Sequence, residues 1–263
     1  MSDWRSYDGV AATYERVHAP RFLEPARDLV AFLPVGDGAR VLDVGTGTGV
    51  VAEAATAAGG RVVGIDPSLD MLGVARASRA TIPVAAAEAI DLPFRDGSFD
   101  AVTAGFVLAH FTRPQTALFD LRRVLRPGGR LGVSSWADGR DAFTDAWLEL
   151  IESVVPKELL EPSLAGVIPN HERFRSADAL AETLHEGGLR RIRVERRAYE
   201  WVYPQAEFLE GLETWATARF ARGMIGDAGW ASFRERARAT FAERFPDPLH
   251  DRRDVLLAAG ERE

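Results

Sequence analysis

Two carboxylates and three glycines are the residues in this sequence whose types and spacing could do chemistry. The run Val41-Leu42-Asp43-Val44 leads into Gly45-Thr46-Gly47-Thr48-Gly49. Glycine has no Cβ and tolerates positive φ, so a strand that ends this way lets a ligand approach bare backbone. The ligand must be polar, of nucleotide size, and compatible with Asp43. A dinucleotide fingerprint needs a third glycine three residues after the second, for close helix packing. Here that position is Val50, and a pyrophosphate would be repelled by Asp43. An ammonium or sulfonium group would be attracted, which favours S-adenosylmethionine. Asp66 lies 21 residues after Gly45, where a carboxylate can accept both ribose hydroxyls. NAD enzymes use the same contact, so Asp66 by itself does not discriminate. It could also cap the helix that follows.

These residues need a frame. Short β-branched runs at 41–44, 61–65, 82–86, 101–103 and 130–134 alternate with helical stretches at 50–58, 69–78 and 114–125. Ala117, Leu118, Leu121, Val124 and Leu125 fall on one helical stripe. Such alternation predicts right-handed crossovers and a parallel sheet covered by helices on both faces. Ligands of these sheets sit beyond the carboxyl ends of the strands, at the switch point. Two helices are expected within 3–34, the second with Phe22, Leu29, Val30 and Leu33 on its apolar face. Beyond Trp136 the pattern changes. Helices are expected at 142–155, 177–185, 205–221 and 230–245, strands at 190–202 and 255–259, and an irregular, proline-punctuated stretch at 156–169. The expected whole is a single domain over 1–263. Its core sheet takes 37–136, 177–203 and 252–263; lid or substrate-facing additions take 1–34, 137–176 and 204–250.

Composition narrows the functional classes. The 263 residues are 46% hydrophobic and 27% charged, enough for one sizeable core. The net charge is −7, and neither half is basic enough for a nucleic-acid footprint. All but one of the 32 basic residues are arginine, the exception being Lys157. The chain has no cysteine, which excludes disulfides, thiolate nucleophiles and cysteine metal sites. No His-x-x-x-His or paired-carboxylate spacing suggests a metal. The start has no signal-peptide core, and no run of about 18 apolar residues could span a membrane. A cytoplasmic protein is expected.

Four motifs stand in order: Val41–Gly49; Gly64-Ile65-Asp66-Pro67-Ser68 with Met71-Leu72; Leu92-Pro93-Phe94-Arg95-Asp96-Gly97-Ser98-Phe99-Asp100; and Arg123-Val124-Leu125-Arg126-Pro127-Gly128-Gly129-Arg130-Leu131. With them the chain resembles the class I S-adenosylmethionine-dependent methyltransferases. More narrowly, it is similar to the group typified by ubiquinone/menaquinone C-methyltransferases and many natural-product methyltransferases. The resemblance is strong over about 40–136 and weak at the flanks. It implies a doubly wound, mostly parallel, seven-stranded Rossmann-like α/β sheet with N-terminal helices and a helical lid inserted before the last strand. It also implies roles. Gly45, Thr46, Gly47 and Gly49 would pass under the methionine part of the cofactor, with Asp43 near its amino group. Asp66 would hold the ribose, and Pro67 to Met71 would flank the adenine. Glu88 stands where the family usually carries Asp or Asn, and the amide of Ala89 would meet a ring nitrogen. Gly105 replaces a small polar residue and offers backbone only. The pattern Tyr7-Asp8-x-x-Ala11-x-x-Tyr14 marks a leading helix that covers the cofactor, with Tyr14 at its edge. Leu92-Pro93-Phe94 and Arg126-Pro127-Gly128-Gly129 read as turns.

Methyl transfer from a sulfonium is an in-line displacement with a good leaving group, so the protein chiefly positions reactants and excludes water. A base is needed only if the acceptor must lose a proton early. His110, after the fourth strand, is the candidate, as a base or as pocket packing. His18 suits a loop; His171, His185 and His250 suit solvent. Phe106 could face the sulfonium. Trp136, Trp201 and Tyr203 are candidates for contact with a fairly large, apolar or aromatic acceptor. The expected partners are that small molecule and a second copy in a homodimer, with S-adenosylhomocysteine as product. Secondary metabolism is preferred over quinone-biosynthesis C-methylation. A non-transferring S-adenosylmethionine-binding protein or cyclase-type enzyme stays open; Val50 and Asp43 argue against a nicotinamide oxidoreductase.

Overall fold

A computed structural model describes residues 7–139 and 141–263. Its seven strands form one sheet in the order β3-β2-β1-β4-β5-β7-β6. They are β1 (Arg40–Val44), β2 (Arg61–Asp66), β3 (Val84–Ala86), β4 (Phe99–Gly105), β5 (Leu125–Trp136), β6 (Arg190–Tyr203) and β7 (Leu249–Glu261). β1 to β5 pair in parallel, and β7 runs antiparallel to both β5 and β6. The order reverses between β1 and β4, so a crevice opens at the carboxyl end of β1, where the glycine loop begins.

The helices are α1 (Ala11–Val17), α2 (Ala19–Ala31), α3 (Val50–Ala57), α4 (Leu69–Ser78), α5 (Pro114–Val124), α6 (Ala142–Glu152), α7 (Lys157–Ala165), α8 (Ala177–Glu186), α9 (Gln205–Glu213) and α10 (Ala216–Arg244). Period-two alternation splits the strands between two cores. Leu42, Val44, Val102 and Leu256 pack with Leu118 and Leu121 of α5 and Leu180 and Leu184 of α8. Val41, Ala101 and Leu257 point the other way, onto Leu29 and Leu33 of α2 and Ala52 and Ala55 of α3. A third core lies beyond the sheet. There Trp147, Leu160, Phe208, Phe233 and Phe241 from α6, α7, α9 and α10 close over Tyr203 and Leu249.

Three segments differ from the sequence expectation. The first helix was expected from residue 3; residues 1–6 lie outside the described part, and α1 begins at Ala11. The stretch 156–169 is not wholly irregular, because α7 occupies Lys157–Ala165. Pro156 stands at its N-cap, where a missing N–H costs nothing, and Leu160 is buried in the third core. Tertiary burial outweighs the poor propensity of Pro162. The helices expected at 205–221 and 230–245 are instead α9 and a long α10, broken inside at Gly226 (φ 72°, ψ 173°). No helix among the described residues is long and apolar enough to cross a membrane.

Candidate functional site

The loop after β1 is held by its own backbone. Gly45, Gly47 and Gly49 have φ of 66°, 55° and 98°, all left-handed. Thr46 N donates to Ile65 O at 2.9 Å, Gly49 N to Thr46 O at 2.7 Å, and Gly47 N to Asp66 Oδ2 at 2.9 Å. A β-carbon on Gly45 would collide with the side chain of Val107, whereas the space beside Gly47 is open. Arg79 clamps the loop from behind. It donates to Thr48 O at 2.8 Å, Glu53 at 2.8 Å and Glu15 of α1 at 2.9 Å.

Asp43 lies beneath this loop, 1% exposed. Thr46 Oγ1 and Thr103 Oγ1 each donate to it at 2.7 Å. Burial nevertheless raises its pKa to about 6. Asp66, at the end of β2, faces the crevice, and burial raises its pKa as well. Ser68 N donates to its Oδ1 at 2.9 Å while Gly47 N occupies Oδ2. A carboxylate has about four lone-pair sites, so two remain for a diol.

The crevice continues into a cavity of about 660 Å³. The segment before α1 straps its mouth: Gly9 N donates to Asp70 Oδ2 at 2.7 Å, and Ser68 Oγ to Asp8 Oδ1 at 2.6 Å. Tyr7 and Tyr14 line the cavity with rings 6.1 Å apart, edge to face. Burial raises the pKa of both, so they remain protonated donors at neutral pH. At the far end stand Phe106, Trp136 and His110. His110 ends a one-turn 3₁₀ helix, Leu108–His110, with its ring 5.8 Å from that of Tyr7. Burial lowers its pKa, so it is neutral at pH 7.

Of the residues singled out from sequence, the structure brings Tyr14, Gly45, Gly47, Asp66, Pro67, Met71, Glu88, Ala89, Gly105, Phe106, His110 and Trp136 to this cavity. Asp43, Thr46 and Gly49 are off its wall and build the loop from below. Trp201 and Tyr203 are a correction, because they do not line the cavity. The guanidinium of Arg21 sits 5.2 Å from the Trp201 ring and 4.9 Å from that of Tyr203, and is paired to Asp251 at 2.8 Å. His18 stands in the one-residue turn between α1 and α2. It is buried, with Nε2 3.1 Å from Gly211 O and 3.0 Å from Thr214 Oγ1, and burial lowers its pKa to about 4. His171, His185 and His250 are exposed. Sequence reading missed Arg79 and the cavity wall at Gly166 and Val167. Only the capping position of Pro156 hinted that ordered structure follows it. Among the described residues no three His, Asp or Glu could hold a metal ion.

Comparison with known proteins agrees with this geometry. A family described as "Methyltransferase domain" matches residues 42–133. A demethylmenaquinone methyltransferase of Paenarthrobacter aurescens is 32% identical over 192 residues, which is 69% of this chain and 76% of that protein. The Renibacterium salmoninarum protein of the same name is 38% identical over 141 residues, 52% of this chain and 58% of its own length. Among solved structures, Haemonchus contortus phosphoethanolamine N-methyltransferase 2 in complex with S-adenosyl-L-methionine superposes with a TM-score of 0.59. It is 18% identical, and the match covers 100% of this chain and 61% of that one.

Proposed function

This chain belongs to the class I S-adenosylmethionine-dependent methyltransferases, and from that premise we propose that it binds S-adenosylmethionine in the cavity and methylates a small-molecule acceptor there. The observation that carries the reading is Asp66, with one lone pair of each oxygen committed to loop backbone and the rest turned to the cavity. That donor-poor, acceptor-rich edge fits a ribose diol. Bare backbone at Gly47 fits the methionine part, and the buried charge of Asp43 favours an ammonium above the loop. Glu88, Ala89 and Met71 flank the place for the adenine, and Gly105 leaves room for the methionine chain. Tyr7 and Tyr14 offer π-faces and hydroxyls beside a cationic sulfur. The bound cofactor supplies an activated methyl group on a good leaving group. The protein excludes water with the strap before α1 and holds the acceptor against Phe106, Trp136 and His110.

A small-molecule acceptor of secondary metabolism is the preferred assignment. The similarity to demethylmenaquinone methyltransferases favours a second, C-methylation of a quinol. Incubation with labelled methyl donor and a panel of phenols, amines and quinols separates the two by product. Binding without S-adenosylhomocysteine formation on any acceptor would return the chain to a non-transferring role. Asp66→Ala is expected to weaken S-adenosylhomocysteine binding by about tenfold or more in calorimetry, with the melting temperature nearly unchanged. Unaltered affinity would refute the ribose assignment.

A further inference from the structure

One arginine ties the helix over the cavity to the loop beneath it. Arg79 is the C-cap of α4, and its side chain is 9% exposed. Its Nη1 donates twice, to Glu15 Oε1 of α1 at 2.9 Å and to Thr48 O of the glycine loop at 2.8 Å. Its Nε donates to Glu53 Oε2 of α3 at 2.8 Å. Four elements around the cofactor cavity thus meet at one guanidinium, although Arg79 itself is off the cavity wall. A rigid fork of donors suits such a junction, and its charge makes each of these bonds stronger than one between neutral groups. The loop leaves room for it. A β-carbon on Gly49 would stand 2.9 Å from Arg79 Cδ, so the third glycine of the motif keeps a passage for the arginine stem.

Glu15 depends on this contact. Its other oxygen, Oε2, is buried and has no hydrogen-bond partner among the described residues. Without Arg79 the carboxylate would lose its paired oxygen as well, and a charge left unpaired at a largely buried site is costly. It regains water only if α1 lifts. Tyr14, the residue before it, lines the cavity, so a lifted α1 takes part of the cavity wall with it. The other ion pair of α1, Arg16 with Glu210 of α9, is exposed and joins α1 to the lid rather than to the loop.

We propose that Arg79 is a positioning residue for the cofactor: through Glu15 and Thr48 it makes the seating of α1 and the shape of the glycine loop a single equilibrium. The proposal rests on the methyltransferase reading and adds to it a residue that never touches the ligand. Coupling of this kind is reciprocal. The factor by which a seated α1 strengthens cofactor binding is the factor by which bound cofactor strengthens the seating of α1. Breaking the bridge at either end removes both effects together, while the fold of the sheet, which does not pass through Arg79, is left in place.

The test reads binding and hydrogen exchange on the intact protein, with S-adenosylhomocysteine as the probe. In the wild type the probe should slow exchange of the Tyr14 and His18 amides, which bond to Val10 O and Tyr14 O, by about tenfold. The amides of α8, which shares a core with α5, serve as the reference. Glu15→Ala removes the α1 end of the bridge and puts a good helix former in its place. It should bind the probe about tenfold more weakly and lose the slowing at Tyr14 and His18, with α8 unchanged. Arg79→Met should show the same two losses, and the double variant should be no worse than Arg79→Met alone, because the bridge is already broken. Should Arg79→Met fail to fold, Glu15→Ala decides. Glu210→Gln, which removes the exposed pair on the lid side, should match the wild type. Wild-type affinity or intact slowing in Glu15→Ala, or additive losses in the double variant, would overturn the proposal. If the probe binds the wild type without slowing α1, the proposal alone fails; if it does not bind at all, the methyltransferase reading fails first.

Discussion

Asp43 is the residue at which burial and ligand charge compete. Its carboxylate is 1% exposed, and two threonine hydroxyls do not offset its desolvation, so its pKa stands at about 6 rather than 3.8. A carboxyl pKa raised in the folded state means that folding takes up a proton between about pH 4 and 6. Through that window the stability of the protein falls as pH rises, and it stays at the lower level above pH 6. Binding has the opposite sign. An ammonium over the loop favours the ionised carboxylate, so the affinity for S-adenosylhomocysteine should fall as pH drops from 7 to 5. Asp43→Asn is expected to bind about tenfold more weakly at pH 7 and to show a shallower pH dependence. Calorimetry across that range checks it, and a flat wild-type profile would remove Asp43 from contact with the ligand's field. The acid was visible in the sequence because it interrupts an apolar run. Its partner Thr103 was not, because a hydroxyl in a distant strand gives no local signal.

At the scale of elements, legibility followed the hydrophobic period. β1 and β2 read correctly because Val41–Val44 is buried throughout and runs into Gly45, while Val62–Ile65 is buried or half-buried and starts just beyond Gly59-Gly60. β7 was read as 255–259 but runs from Leu249 to Glu261, because His250, Arg252 and Arg253 make its first half look like a loop. The pairing of Val202 with His250 and of Tyr203 with Leu249 supplies what local sequence does not. The break in α10 was equally hidden. Gly226 has φ 72° and ψ 173°, a region populated almost wholly by glycine, yet a β-carbon there would meet nothing within 4 Å. The cost of Gly226→Ala is therefore one of backbone alone, about 1–3 kcal/mol. A fall of about 5 °C in melting temperature is expected. A rise would show that α10 prefers to run straight and that packing, not glycine, imposes the bend.

At the scale of the whole molecule, the core on the α2 face of the sheet meets the lid core, and the joint is ionic. Arg21 of α2 reaches Asp251 of β7 at 2.8 Å, with side chains 8% and 0% exposed. Arg253 donates to the same carboxylate at 2.9 Å and also engages Asp141 and Thr144 at the start of α6. From sequence, Trp201 and Tyr203 are candidates for contact with an acceptor. Sequence reading had no means of seeing that an arginine from the other end of the chain fills the space between Trp201 and Tyr203. Breaking such a pair leaves a buried charge uncompensated, which costs about 3–5 kcal/mol. Asp251→Asn should therefore lower the melting temperature by on the order of 10 °C, whereas Asp227→Asn, which breaks the exposed pair with Arg222, should change it little. Removing both charges, with Arg21→Met added to Asp251→Asn, should recover part of the loss, because no unpaired guanidinium then remains against the rings. A double variant as unstable as the single one would mean that the joint depends on the polar arginine head itself, and that its two aromatic neighbours hold a cation in preference to an apolar chain of the same length.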